Sequence, residues 1–104
     1  MEIVDDTPIR EAHMDTILGL IPKIPKTITG STLRTSPENL RWMLDRCMDE
    51  IVTFPIDKLG RWVGFVQGVL ALSGNLDVDE ERDRTRPFFH KAYIETDQKI
   101  PGMD

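Results

Sequence analysis

The stretch from Ile56 to Ser73 constrains the fold more than any other part of the chain. Its apolar residues Leu59, Trp62, Val63, Phe65, Val66, Val69, Leu70, Ala71 and Leu72 follow Ile56 at spacings that fit a helix and spread over more than one of its faces. A helix that is apolar on several sides needs cover on several sides, so the pattern predicts a central buried helix at about 56–73. Each large side chain that is fully buried there contributes about 1.5–3 kcal/mol. Gly74-Asn75 supplies the stop. The run Trp62–Leu72 is interrupted by Gln67 and falls far short of the roughly 20 apolar residues that span a bilayer.

Local signals predict the other elements. Ser36 as cap, Pro37 at the first helical position and Glu38 in the first turn open a helix whose stripe is Leu40, Met43, Leu44, Cys47, Met48 and Ile51. Thr53-Phe54-Pro55 ends it. Upstream, Thr7 as cap and Pro8 at the first position start a short amphipathic helix with Ile9, His13, Ile17, Leu20 and Ile21, closed by Pro22. Residues 22–35 hold two prolines, a glycine and four threonines and read as a loop. Downstream, Asp77 or Asp79 caps a short helix that Pro87 is expected to break or kink. Thr85 then caps a last helix with Phe88, Phe89, Ala92 and Tyr93. The expectation is an all-α, compact single domain of four or five helices over residues 1–94, followed by a flexible C-terminal tail at 95–104. One domain is all that 104 residues allow.

Gly60, Gly64 and Gly68 recur every four residues on the central helix, and each costs about 1 kcal/mol against alanine there. Close packing against the second helix of the same chain is the simpler compensation. A homodimer formed through Gly60, Gly64 and Gly68 is the sharper alternative, since small residues at this spacing let two helices approach.

Composition narrows the functional classes. The net charge of −5 argues against general nucleic-acid binding, in which phosphate neutralisation supplies most of the affinity. Cys47 is the single cysteine, so no intramolecular disulfide forms and a reducing compartment fits. The acidic start, Met1 to Asp6, lacks the features of a signal peptide. A cytoplasmic protein with no membrane partner is the plain reading.

Catalytic chemistry finds little support. Asp77, Asp79 and Glu81 alternate like the first ligands of a calcium loop, but Arg82 and Phe88 stand where that loop needs a glycine and a glutamate. Cys47 falls on an apolar stripe, as an inert core thiol does. His13 and His90 stand in no nucleophile–base arrangement. No enzyme, metal or cofactor is expected. Two features suggest binding instead. Arg82, Arg84, Arg86, His90 and Lys91 could gather around an anion or an acidic partner, because guanidinium forks suit phosphates and carboxylates. The bland alternative is a solvated face on which Glu80, Glu81 and Asp83 compete for the same arginines. Trp42 falls beside the stripe of its helix, next to Arg41, and reads as a protein-partner anchor or as a residue packed under the 22–35 loop.

The segment Leu59-Gly60-Arg61-Trp62-Val63-Gly64-Phe65-Val66-Gln67-Gly68-Val69-Leu70, with Asp77 to Pro87 and Phe89-His90, resembles small uncharacterised accessory proteins encoded by tailed bacteriophages and prophages. The likeness covers roughly residues 40–93. It implies work in a bacterial host cytoplasm and carries no site residue with it. The leading expectation is a phage-encoded, non-enzymatic accessory protein that binds and modulates a host or phage protein, one countering host defence included. The alternatives are a binder of a small anionic ligand, such as a nucleotide signal, through the Arg-rich 82–91 segment, and a nucleic-acid accessory protein.

Overall fold

Four α-helices follow one another in a computed structural model that describes residues 5–96. They are α1 (Thr7–Leu20), α2 (Pro37–Asp49), α3 (Ile56–Leu72) and α4 (Val78–Glu95), with a single 3₁₀ turn at Ile21–Lys23. There is no strand among the described residues, and the fold is the all-α single domain expected. The tail expected at 95–104 lies, from residue 97 on, outside the described residues; Glu95 itself ends α4.

The helix ends follow from local chemistry. The Ser36 hydroxyl accepts the Asn39 N–H at 3.2 Å and caps α2. At the end of α3, Gly74 takes φ 79°, and the Asn75 and Gly74 amides donate to the Leu70 and Ala71 carbonyls at 2.8 and 3.1 Å. That pair of bonds is a Schellman stop, and the positive φ is why a glycine stands there. At α1 the cap position falls to Asp6, one residue before the expected Thr7, and the Thr7 N–H donates to Asp5 Oδ1 at 3.0 Å. Asp77 caps α4 through the Glu80 N–H at 2.9 Å.

Pro87 does not divide the last segment into two helices; α4 runs unbroken through it. A proline inside a helix removes one backbone bond and costs about 3 kcal/mol. Long-range packing offsets that cost, because α4 lies along α1 with Ala92 buried and Phe88 and Phe89 half-buried. Thr85 caps nothing: its hydroxyl donates to the Glu81 carbonyl one turn back, at 2.9 Å.

The core is built from Ile17 and Leu20 of α1, Leu40, Met43, Leu44 and Cys47 of α2, and Leu59, Val63, Val66 and Leu70 of α3. Ile24, Phe54 and Leu76 complete it from the connections. Helix α1 touches all three other helices, and α3 lies against α1 and α2. The central place expected of α3 falls to α1: α3 buries one face, through Leu59, Val63, Val66 and Leu70, and leaves Phe65 and Leu72 exposed on the other. The 22–35 loop turns Ile24 and Ile28 toward the core, and the Ile24 carbonyl accepts Arg41 Nη2 at 3.4 Å.

The glycine ladder is not a packing device against α2. A Cβ on Gly60 would meet only His13 of α1, at 3.8 Å, and one on Gly64 or Gly68 would meet nothing within 4 Å. Polar tethers hold the helices in register instead. Arg10 pairs with Asp6 at 3.0 Å and donates to the Ile51 and Phe54 carbonyls, tying α1 to the turn between α2 and α3. Glu81, buried on α4, accepts Gln67 Nε2 of α3 at 2.9 Å and Arg84 Nε at 2.8 Å.

Candidate protein-docking site

Residues that flank the apolar stripes of α2 and α3 meet on one side of the hairpin the two helices form. Trp42 lies off the Leu40–Met43–Leu44–Cys47 stripe, and Trp62 and Phe65 lie off the Leu59–Val63–Val66–Leu70 stripe. The result is an aromatic ladder running outward from the core. Phe54 is 4% exposed and meets Trp62 edge-on at 5.1 Å; Trp62 meets Trp42 at 5.7 Å; and Trp42 is 52% exposed. Arg46 lies 5.7 Å from the Trp42 ring centroid and Lys58 5.0 Å from that of Trp62. Packed edge-on and tilted against one another, the rings are held in place before any partner arrives, which reduces the ordering cost of binding.

Beside the ladder is an open groove of about 460 Å³, lined by Arg34, Asn39, Trp42, Met43, Arg61, Trp62 and Phe65. Asn39 fixes its wall, donating from Nδ2 to the Arg34 carbonyl at 2.6 Å and thereby tying the end of the loop to α2. Trp42 is therefore not packed under the 22–35 loop. Arg41, its neighbour in sequence, reaches the loop, and Arg46 takes the place over the ring. Phe65, Arg61 and Arg34 are members of this site that the sequence did not single out. By sequence Phe65 reads as core, because the Ile56–Ser73 run gives no sign of which side stays open.

The charged residues of α4 do not converge on one anion. Arg82 and Arg86 are exposed, one turn apart, and form no ion pair among the described residues. Arg84 points the other way. It is bound to Glu81, donates from Nη2 to the Thr16 carbonyl of α1 at 3.1 Å and lies 6.0 Å from the Phe88 ring centroid. Gly19 of α1 makes room for it, since a Cβ there would collide with the guanidinium. Lys91 stands 3.7 Å from Glu95. His90 is half-buried on α4, and Trp42 belongs to the α2–α3 side. The groove that Arg82 borders, between α3 and α4, also contains the Glu81 carboxylate, which repels an anion.

Cys47 is fully buried, and burial pushes its thiol up to about 11, so the inert-thiol expectation agrees with its surroundings. Among the described residues no three His, Cys, Asp or Glu side chains cluster to hold a metal ion. Nor is any described helix long and apolar enough to cross a membrane.

His13 is enclosed by α1, Gly60 of α3 and Phe89 of α4, whose ring it meets edge-on at 4.9 Å, and its Nδ1 has no partner. Burial first, and the positive charge of Arg10 second, lower its pKa from 6.5 to about 4. The unfolded chain takes up a proton near pH 6.5 that the folded chain refuses until about pH 4. The stability contributed by neutral His13 is thus complete above pH 6.5 and lost as pH falls toward 4. The loss is about 3 kcal/mol. Urea denaturation at both ends of that window should show it in the wild type and largely lose it in His13→Leu.

No protein-family model, curated protein or solved structure matches the chain.

Proposed function

We propose that this chain is a non-enzymatic accessory protein that binds and modulates another protein through the Trp42 face of the α2–α3 hairpin. A phage-encoded factor acting on a host or phage protein in a bacterial cytoplasm, one countering host defence included, is the setting this reading carries. The supporting observation is the aromatic ladder. Trp42 is 52% and Phe65 41% exposed, side by side on a groove. Tryptophan and arginine are among the residues most enriched in binding hot spots, and an exposed Trp42 already packed on a half-buried Trp62 costs little entropy to use.

The anion-binding alternative draws on Arg82 and Arg86, free of ion pairs among the described residues, but shares its groove with Glu81. It predicts a nucleotide-dependent rise in melting temperature that Arg82→Ala/Arg86→Ala removes.

The direct test is capture of binding proteins from a bacterial lysate with tagged wild type, Trp42→Ala and Arg82→Ala/Arg86→Ala, followed by titration of the purified partner. Trp42→Ala should weaken binding by at least about thirtyfold, a hot-spot effect near 2 kcal/mol, with the fold intact by circular dichroism. A partner that binds Trp42→Ala as well as wild type, and is lost with the α4 variant, overturns the assignment.

A further inference from the structure

We infer that the occupant of the α2–α3 groove is an acidic protein segment that carries an aromatic or long aliphatic anchor. The inference rests on the docking reading above and adds the chemistry of the partner. The chain as a whole is acidic, at −5, yet the groove is not. Its charged lining residues are Arg34 and Arg61, with no carboxylate among them. Arg34 forms no ion pair among the described residues. Among the described residues Arg61 pairs only with Asp57, at 3.4 Å with both side chains over 70% exposed, a pair that water and salt screen heavily. Lys58 stands over the flanking Trp62 ring and adds to the positive rim, whereas Arg46, over Trp42, is paired with Glu50 at 2.9 Å and belongs to the other side.

The negative charge lies on the far side of Trp42, where Asp45, Asp49 and Glu50 border a separate concavity. A basic segment drawn to that side meets one aromatic ring and Arg46. An acidic segment drawn to the groove meets three aromatic residues and two arginines. The acids behind Trp42 also repel an acidic segment that docks in the wrong register, so the charge pattern sets direction as well as affinity. A single nucleic-acid strand offers bases for the same rings, but it brings a phosphate with every base and the groove lining holds only two arginines to meet them.

The test uses three short synthetic peptides with one shared Phe/Leu core, flanked by glutamates, by serines or by lysines, and an oligothymidine. Binding is read by the fluorescence of Trp42 and Trp62 and by calorimetry at low and high salt. The glutamate peptide should bind about tenfold more tightly than the serine peptide at low salt, the equivalent of 1.4 kcal/mol. Raising the salt should erase that margin, and in Arg34→Ser/Arg61→Ser the glutamate and serine peptides should bind alike. Both arginines are exposed or loop-borne, so the melting temperature of the double variant should stay near that of wild type. Equal binding of the glutamate and serine peptides, abolished in Trp42→Ala, overturns the acidic preference and leaves the docking reading standing. Tighter binding of the lysine peptide or of the oligothymidine overturns the inference as well. If no peptide perturbs either indole, the docking reading fails together with it.

Discussion

Glu81→Ala is expected to destabilise the domain by about 3–5 kcal/mol, enough to bring a chain of this size close to unfolding. Glu81 is 5% exposed, and both of its carboxylate oxygens are in use, one by Gln67 of α3 and one by Arg84 of its own helix. Arg84 carries the connection on to the Thr16 carbonyl of α1. Removing the carboxylate leaves a partly covered guanidinium without its counter-charge and a Gln67 amide without an acceptor. Both costs are paid in the folded state alone, which is why breaking such a pair exceeds its net worth. Urea denaturation gives the number. Glu81→Gln keeps an acceptor for Arg84 at the same reach, so it should recover a substantial part of the loss. A change below about 1 kcal/mol in Glu81→Ala would mean that the three-helix connection contributes nothing beyond an ordinary surface pair.

Ile17→Ala should cost about 3–4 kcal/mol, in the range that buried aliphatic truncations reach when the site cannot collapse. Ile17 is 0% exposed and sits on α1, the helix that touches the other three. A void there is bordered from several directions and cannot be closed by the shift of one neighbour. Leu18, the next residue, is 55% exposed, and Leu18→Ala should stay within about 0.5 kcal/mol. The pair of variants separates the packing of α1 from its helix propensity, because both carry the same change of a long aliphatic for alanine. Comparable losses in the two would show that α1 contributes through its own helix stability rather than through the core.

The parts of this fold that were legible in the sequence are those decided locally. Ser36-Pro37-Glu38 and Gly74-Asn75 mark helix ends because the bonds that form there span only three to five residues. The Leu40 to Cys47 stripe is legible for the same reason: its spacing alone selects one face. What depends on distant partners was not. Pro87 reads as a break from its own chemistry, and only the length of α4 packed on α1 explains why the helix continues. Glu81 and Arg84 look like any other members of a mixed charged face. The one local hint was Gly19, near the end of α1, where any side chain would exclude the guanidinium. Arg10 was silent too, since the carbonyls it holds, Ile51 and Phe54, lie more than forty residues away.

The site divides along the same line. Trp42 could be singled out because it falls off a well-defined stripe. Phe65 could not, because the α3 pattern is apolar on too many sides to reveal which one faces solvent. Arg34 belongs to a loop with no period at all, and it is Asn39 that draws it to the groove. The arginines of 82–86 drew attention by proximity in sequence, whereas a helix sends Arg84 away from Arg82 and Arg86.

The two tryptophans allow the central claim to be tested with little ambiguity, because their indole N–H resonances are resolved from the backbone in an amide-correlation spectrum. The measurement is a titration of isotope-labelled protein with the glutamate-flanked peptide, following Trp42, Trp62 and Phe65 together with Arg82, Arg86 and His90. The account predicts saturable shifts at Trp42, Trp62 and Phe65 and none along α4. Shifts confined to Arg82, Arg86 and His90, with both indoles unmoved, would contradict it and return the binding face to α4.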